Sequence, residues 1–296
     1  MSLKDTLRGT GVALVTPFTI EKEVDYPALG RLLEYVITNG ADYLVTLGTT
    51  GETSTLTKDE KRRIIDYTFE KVNNRLPIVI GVGGNNTAEV INSLKSLPLT
   101  SATAILSASP YYNKPSQEGI YQHYKSLAEA SPKPIILYNV PGRTGSNINA
   151  STTLRLSNEV KNICGIKEAS GNMVQCMHII KDAPKDFLLI SGDDHLTLSL
   201  IACGMDGVIS VAANCFPKKF CAMVKSALAG EYAMARLLHY ECLEGNDLLF
   251  IENNPAGAKA FLARQKIIDN YLRLPLVPLD KAYDERVDRF HLNYIQ

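Results

Sequence analysis

The chain has 296 residues, 31 basic and 31 acidic side chains, and a formal net charge of zero. That length suits one large domain or two small ones, and the balanced charge, with no dense Lys/Arg cluster, argues against nucleic acid or an anionic membrane as the main partner. The opening MSLKDTLRGTG has no apolar signal core, and no run approaches the roughly 18 apolar residues of a membrane span, so a cytoplasmic protein is expected.

Along the chain, short apolar runs recur at 12–17 (VALVTP), 42–48 (DYLVTLG), 77–83 (PIVIGVG), 103–110 (TAILSASP), 134–141 (PIILYNVP), 162–170 (NICGIKEAS), 187–194 (FLLISGDD) and 207–214 (GVISVAAN). They are continuous rather than alternating, as parallel strands covered on both faces should be, and helical periodicity fills the gaps. Thr57 and Glu60 form a capping box ahead of Ile64, Ile65, Thr68 and Val72. Pro115-Ser116 precedes a helix whose Ile120, Tyr124 and Leu127 share a stripe. After Phe216-Pro217 and its helix the strand rhythm stops, and from about Ala229 onward only helices are expected, with breaks at Asn253-Asn254-Pro255 and Leu274-Pro275. Eight βα units predict a (β/α)₈ TIM barrel over 1–228, followed by a small helical appendage over 229–296. Six dispersed cysteines without a C-x-x-C pair read as small hydrophobes in a reducing cytosol.

Barrel chemistry sits at the C-terminal ends of the strands, which selects a short set of polar residues. Lys167 closes the sixth run; an ammonium in an apolar wall must pair, reach solvent or spend time neutral. Neutral, it is a nucleophile for carbonyl carbon; otherwise it pairs with Glu168 or extends to water. The Gly48-Thr49-Thr50-Gly51 turn presents N–H groups and two hydroxyls to an anion, or is an ordinary capped turn. Tyr138 ends the neighbouring fifth run, where a phenol beside an amine shuttles protons or is packed. Arg143 follows it, a carboxylate clamp or a surface arginine. Adjacent Asp193 and Asp194, with no suitable histidine spacing, make a poor metal site.

GTTGE (Gly48 to Glu52), YNVPGRTG (Tyr138 to Gly145) and GIKEAS (Gly165 to Ser170), with VTPF, PYYNKPSQEG, SGDD and GVISV in the same order, resemble the pyruvate-dependent class I aldolases, the family of the dihydrodipicolinate synthases and N-acetylneuraminate lyases. The resemblance runs from the first strand into the helical tail. It implies that Lys167 forms a Schiff base with pyruvate, that Thr50 and neighbouring amides hold the pyruvate carboxylate, and that Tyr138 is the general acid/base. Thr49 and Tyr112 complete a proton relay, with Tyr112 reaching a neighbouring subunit's site, and the carbonyls of Gly192 and Ile209 line the pocket. An arginine after YNVP matches the synthase branch, so Arg143 implies aspartate semialdehyde as acceptor; sialic acid or keto-deoxy-sugar lyases carry small or apolar residues there. A catalytically silent binding barrel would not need Lys167, Tyr138, Thr49 and Tyr112 together. The iminium nitrogen is the electron sink, so neither metal nor organic cofactor is expected. The family also implies a homotetramer of tight dimers. Its lysine-inhibited members bind lysine through residues matching Thr53, Ser54, Lys58, Lys61, Asn85, Glu89 and Tyr111. Lys58 and Lys61 depart from that pattern and would repel a cation, so weak or absent inhibition by lysine is expected.

Overall fold

The computed structural model describes residues 2–294. Eight parallel strands, β1 (Gly9–Ala13), β2 (Tyr43–Thr46), β3 (Ile78–Gly81), β4 (Ala104–Ala108), β5 (Ile135–Asn139), β6 (Ile163–Glu168), β7 (Leu188–Ser191) and β8 (Gly207–Ser210), pair in sequence order, and β8 returns to β1 to close a barrel. This is the expected (β/α)₈ architecture. β1 starts three residues before the apolar run that announces it, at Gly9-Thr10-Gly11. Packing explains the two glycines: a Cβ at Gly11 would lie 2.2 Å from the Tyr43 ring, which fills the barrel at that level, and one at Gly9 would lie 2.2 Å from Asp42 Oδ2.

Strand alternation divides the apolar side chains into two cores. Ala13, Val45, Val79, Leu106, Ile136, Tyr138, Ile190 and Ile209 pack inside the barrel, with Leu7, which follows the short N-terminal helix Leu3–Thr6, among them. Val12, Leu44, Ile105, Leu137 and Ile166 join the core between barrel and helices. Each fully buried aliphatic side chain contributes about 1.5–3 kcal/mol by leaving water. The register sets the site: Lys167 pairs with Tyr138 on one side and Ile190 on the other, both interior residues. Lys167 therefore belongs to the inner set, and Glu168 to the outer one.

The expected helix signals operate. Thr57 and Glu60 cap the helix Lys58–Val72 reciprocally, with Ile64, Ile65, Thr68 and Val72 buried; Ser116 accepts from Gly119 N–H at the start of the helix Gln117–Ala130. The eighth barrel helix, Pro217–Leu228, packs against the long helix Tyr232–Phe250. The helices Ala256–Arg264 and Asp284–Tyr294 follow. The expectation of a purely helical tail is corrected here, because 265–280 carries no helix. Pro275 and Pro278 remove backbone donors and restrict the residues before them. Arg273 fastens this segment to the barrel, donating to the carbonyls of Lys22 and Thr55 and to Glu60. Among the described residues no helix is long and apolar enough to cross a membrane.

Candidate active site

Lys167 is 6% exposed, and its Nζ lies 4.2 Å from the Tyr138 ring centroid. Among the described residues no carboxylate stands within 4.0 Å of it. Pairing with Glu168 is ruled out by that carboxylate's own partners. It accepts from Asn139 Nδ2 at 2.9 Å, Gln175 Nε2 at 3.0 Å and the Ser170 N–H at 2.7 Å, on the outer face of the strand. Asn139 also donates to Asn147 and accepts the Ile148 N–H, so this network ties the C-terminal ends of β5 and β6 together one residue beyond the pair Tyr138/Lys167. Gly192 flanks the lysine stem: a Cβ there would come within 2.9 Å of Lys167 Cε and 3.1 Å of Cγ. Its N–H is fixed on the Glu168 carbonyl at 2.8 Å. Ile209, paired with Gly11 across the β8–β1 seam, closes the interior nearby.

The turn after β2 is a short 3₁₀ helix, Thr49–Gly51. Thr16 Oγ1 donates to the Gly51 carbonyl at 2.7 Å, and Asn254 Nδ2 donates to Thr50 Oγ1 at 2.9 Å. Thr50 is buried and Thr49 half-buried. The Asn253-Asn254 pair reaches a second residue: Arg143, on the short helix Pro141–Thr144, donates from Nη2 to Asn253 Oδ1 at 3.1 Å and to the Asn254 carbonyl at 3.4 Å. Sequence reasoning treated Asn253-Asn254-Pro255 only as a helix break. The available signal was the pair of amides in a break that has to return to the barrel mouth.

A cavity of about 440 Å³ opens at the strand ends, walled by Thr49, Tyr138, Arg143 and Thr144 together with Thr53, Ser54, Lys61 and Tyr111. Lys167 and Thr50 are not part of that wall, and Lys167 adjoins it through the Tyr138 ring. The expected effector residues divide: Thr53, Ser54, Lys61 and Tyr111 face this cavity, whereas Lys58, Asn85 and Glu89 do not. Burial, then the charge of Lys58, pushes the Lys61 ammonium below its usual range. Tyr112 is 87% exposed on a left-handed backbone (φ 72°) and does not enter its own chain's cavity.

The SGDD carboxylates are engaged with backbone. Asp194 Oδ2 accepts the N–H groups of Val211 and Ala212, and Asp193 Oδ1 accepts those of His195 and Leu196. They brace the ends of β7 and β8, which frame Gly192 and Ile209. Burial raises Asp194 above the ordinary carboxylate range. All six cysteines are free, four of them buried.

Residues 6–291 match the model of the dihydrodipicolinate synthetase family. The chain is 55% identical over 272 residues to the 4-hydroxy-tetrahydrodipicolinate synthase of Parabacteroides distasonis, covering 92% of each chain. Among solved structures it superposes on the dihydrodipicolinate synthase of Thermotoga maritima with a TM-score of 0.95 at 38% identity, covering 98% of this chain and 99% of that one. It is equally similar, with a TM-score of 0.95, 40% identity and coverage of 98% and 100%, to the chloride-inhibited enzyme of Acinetobacter baumannii complexed with pyruvate.

Proposed function

The chain belongs to the dihydrodipicolinate synthetase family, and we propose that it condenses pyruvate with L-aspartate 4-semialdehyde to 4-hydroxy-tetrahydrodipicolinate through a Schiff base on Lys167. The observation that carries the assignment is a buried lysine at a barrel strand end, with no carboxylate partner among the described residues, beside a tyrosine that walls the cavity.

Lys167 Nζ adds to the ketone carbon of pyruvate, and the carbinolamine loses water to give an iminium. Thr50 and the amides of its turn hold the pyruvate carboxylate. Loss of a methyl proton moves electrons toward the iminium nitrogen and makes an enamine, so the step needs no metal or organic cofactor. The enamine carbon attacks the aldehyde, whose oxygen takes up a proton, while Arg143 binds the acceptor's carboxylate. The acceptor's own amine then displaces Lys167 by transimination and closes the ring. Tyr138 transfers protons in these steps, relayed by Thr49 and by Tyr112 of a neighbouring subunit. The exposure and left-handed backbone of Tyr112 support a role outside its own chain. Gly192 and Ile209 border the imine.

The same reading includes a homotetramer of tight dimers in the cytoplasm and a division between barrel and appendage at residues 228 and 229. It also includes an effector site around Thr53, Ser54, Lys58, Lys61, Asn85, Glu89 and Tyr111 that binds lysine weakly. A sugar lyase is disfavoured by Arg143, which two asparagine contacts hold at the cavity wall. Treatment with pyruvate and borohydride tests the mechanism: a reduced pyruvyl adduct on Lys167 alone is expected, and an adduct elsewhere or none refutes it. Comparing acceptor aldehydes after pyruvate loading tests the acceptor.

A further inference from the structure

The GTTG turn runs directly into Glu52, whose side chain is fully buried, as is that of Lys259; Lys259 Nζ stands 2.6 Å from Glu52 Oε1. The other carboxylate oxygen accepts the Arg273 N–H at 3.0 Å. Lys259 also donates to the Tyr271 carbonyl at 2.8 Å and lies 4.2 Å from the Phe18 ring centroid. The lysine sits on the helix Ala256–Arg264, and Asn254 at the entry to that helix holds Thr50. Stability alone is a weak reason for such a pair, since an apolar pair of equal volume often serves as well.

Its position supplies a better one. Glu52 has left-handed backbone (φ 51°) and its N–H closes the turn on the Thr49 carbonyl at 3.1 Å. Non-glycine residues disfavour that conformation unless their surroundings impose it, and here the clamp of Lys259 and the Arg273 N–H on the carboxylate does so.

We infer that Lys259, acting through Glu52, is a positioning residue that fixes the Thr49–Thr50 turn for the carboxylate of the keto-acid substrate, with Asn254 as a second tether on Thr50. This deepens the proposed function and rests on its assignment of Thr50 and the turn amides to that carboxylate.

The test compares Lys259→Met, the double variant Glu52→Gln/Lys259→Met, Asn254→Ala and Thr50→Val in the full-length protein, measuring KM for each substrate, kcat and Tm. Lys259→Met strands a buried carboxylate, lowering Tm and raising the pyruvate KM about tenfold. The double variant removes both charges and regains most of the Tm, yet keeps the raised pyruvate KM with the aldehyde KM within about twofold of wild type. Asn254→Ala raises the pyruvate KM about three- to tenfold with little change in Tm. A double variant with recovered Tm and wild-type pyruvate KM overturns the inference. If the Lys259 variants fail to fold, a wild-type pyruvate KM in Asn254→Ala overturns it instead. Thr50→Val separates the two readings. An unchanged pyruvate KM there removes the carboxylate assignment and this inference with it. A raised KM there, with unaffected Lys259 and Asn254 variants, removes the positioning role alone.

Discussion

Gly192→Ala tests whether the lysine stem is held where imine chemistry needs it. The added methyl would lie 2.9 Å from Lys167 Cε, 3.1 Å from Cγ and 2.7 Å from Ala169 Cβ, all short of the roughly 3.5–4.0 Å of relaxed carbon contacts. The backbone cannot easily retreat, because the Gly192 N–H is anchored on the Glu168 carbonyl, and Glu168 is in turn held by Asn139, Gln175 and the Ser170 N–H. The stem must move instead, by a large fraction of an ångström. Overpacking of this kind costs about 1–3 kcal/mol, and misplacing a reacting group by about 1 Å costs on the order of 10²-fold in rate. The assay is the rate of pyruvate-dependent borohydride trapping, followed by mass spectrometry, beside a thermal scan. Trapping should slow about 10- to 100-fold in a folded protein whose Tm drops by several degrees. Adding Lys167→Ala should restore part of that Tm, because it removes the two stem contacts and leaves the one to Ala169 Cβ. A folded Gly192→Ala protein that traps pyruvate at the wild-type rate refutes the packing argument.

Arg143→Ala should impair reaction with aspartate semialdehyde about tenfold to a hundredfold, the worth of a charge-assisted bond, while imine formation with pyruvate changes little; equal losses in both half-reactions would make the arginine structural. Tyr112→Phe should lower turnover about 10²-fold or more, and mixing it with Lys167→Ala protein under subunit exchange should restore some activity; no recovery counts against a shared site. His123 is buried, with Nδ1 2.9 Å from Thr87 Oγ1 and Nε2 unpartnered, and burial pulls its pKa down to about 4. The unfolded chain therefore binds the proton more tightly, so stability should fall as pH drops from about 6.5 to 4, by up to about 3 kcal/mol; His123→Gln should flatten that part of a urea-denaturation pH profile. Lysine titrated at saturating pyruvate should inhibit weakly, because the Lys61 ammonium faces the cavity and would repel the effector's own ammonium; half-inhibition at submillimolar concentration would mean that Lys61 turns away from the effector.

The barrel was legible because its strands are buried on both faces and so read as unbroken apolar runs, several of them followed by a helix start signal. The position of Lys167 was legible for the same reason: a charge at the end of such a run stands out. β1 was partly hidden because Gly11 is small to make room for Tyr43 and Gly9 to make room for Asp42, requirements set by residues more than thirty positions away. The tail was read least well. Its periodicity predicted helices, but the stretch around Arg273 takes its shape from Glu60, Lys22 and Thr55, partners more than two hundred residues distant, which no local pattern can report.

The same limit explains what was missed in the site. The motifs named the groups proposed to act on the substrate, since those are polar residues at strand ends. The groups that hold them in place, Asn253, Asn254, Lys259 and the Asn139–Glu168–Gln175 network, are polar residues whose partners lie on other elements. Asn139, Glu168, Asn254 and Lys259 are buried, and each is costly to bury unless its partner is present, so each marks a contact the fold must make. Asn254 and Lys259 come from the appendage, and their partners Thr50 and Glu52 belong to the turn assigned to the pyruvate carboxylate. On the proposed assignment the appendage belongs to the catalytic architecture, and truncating it before Asn253 would remove five contacts at the barrel mouth: two to Arg143, one to Thr50 and two to Glu52.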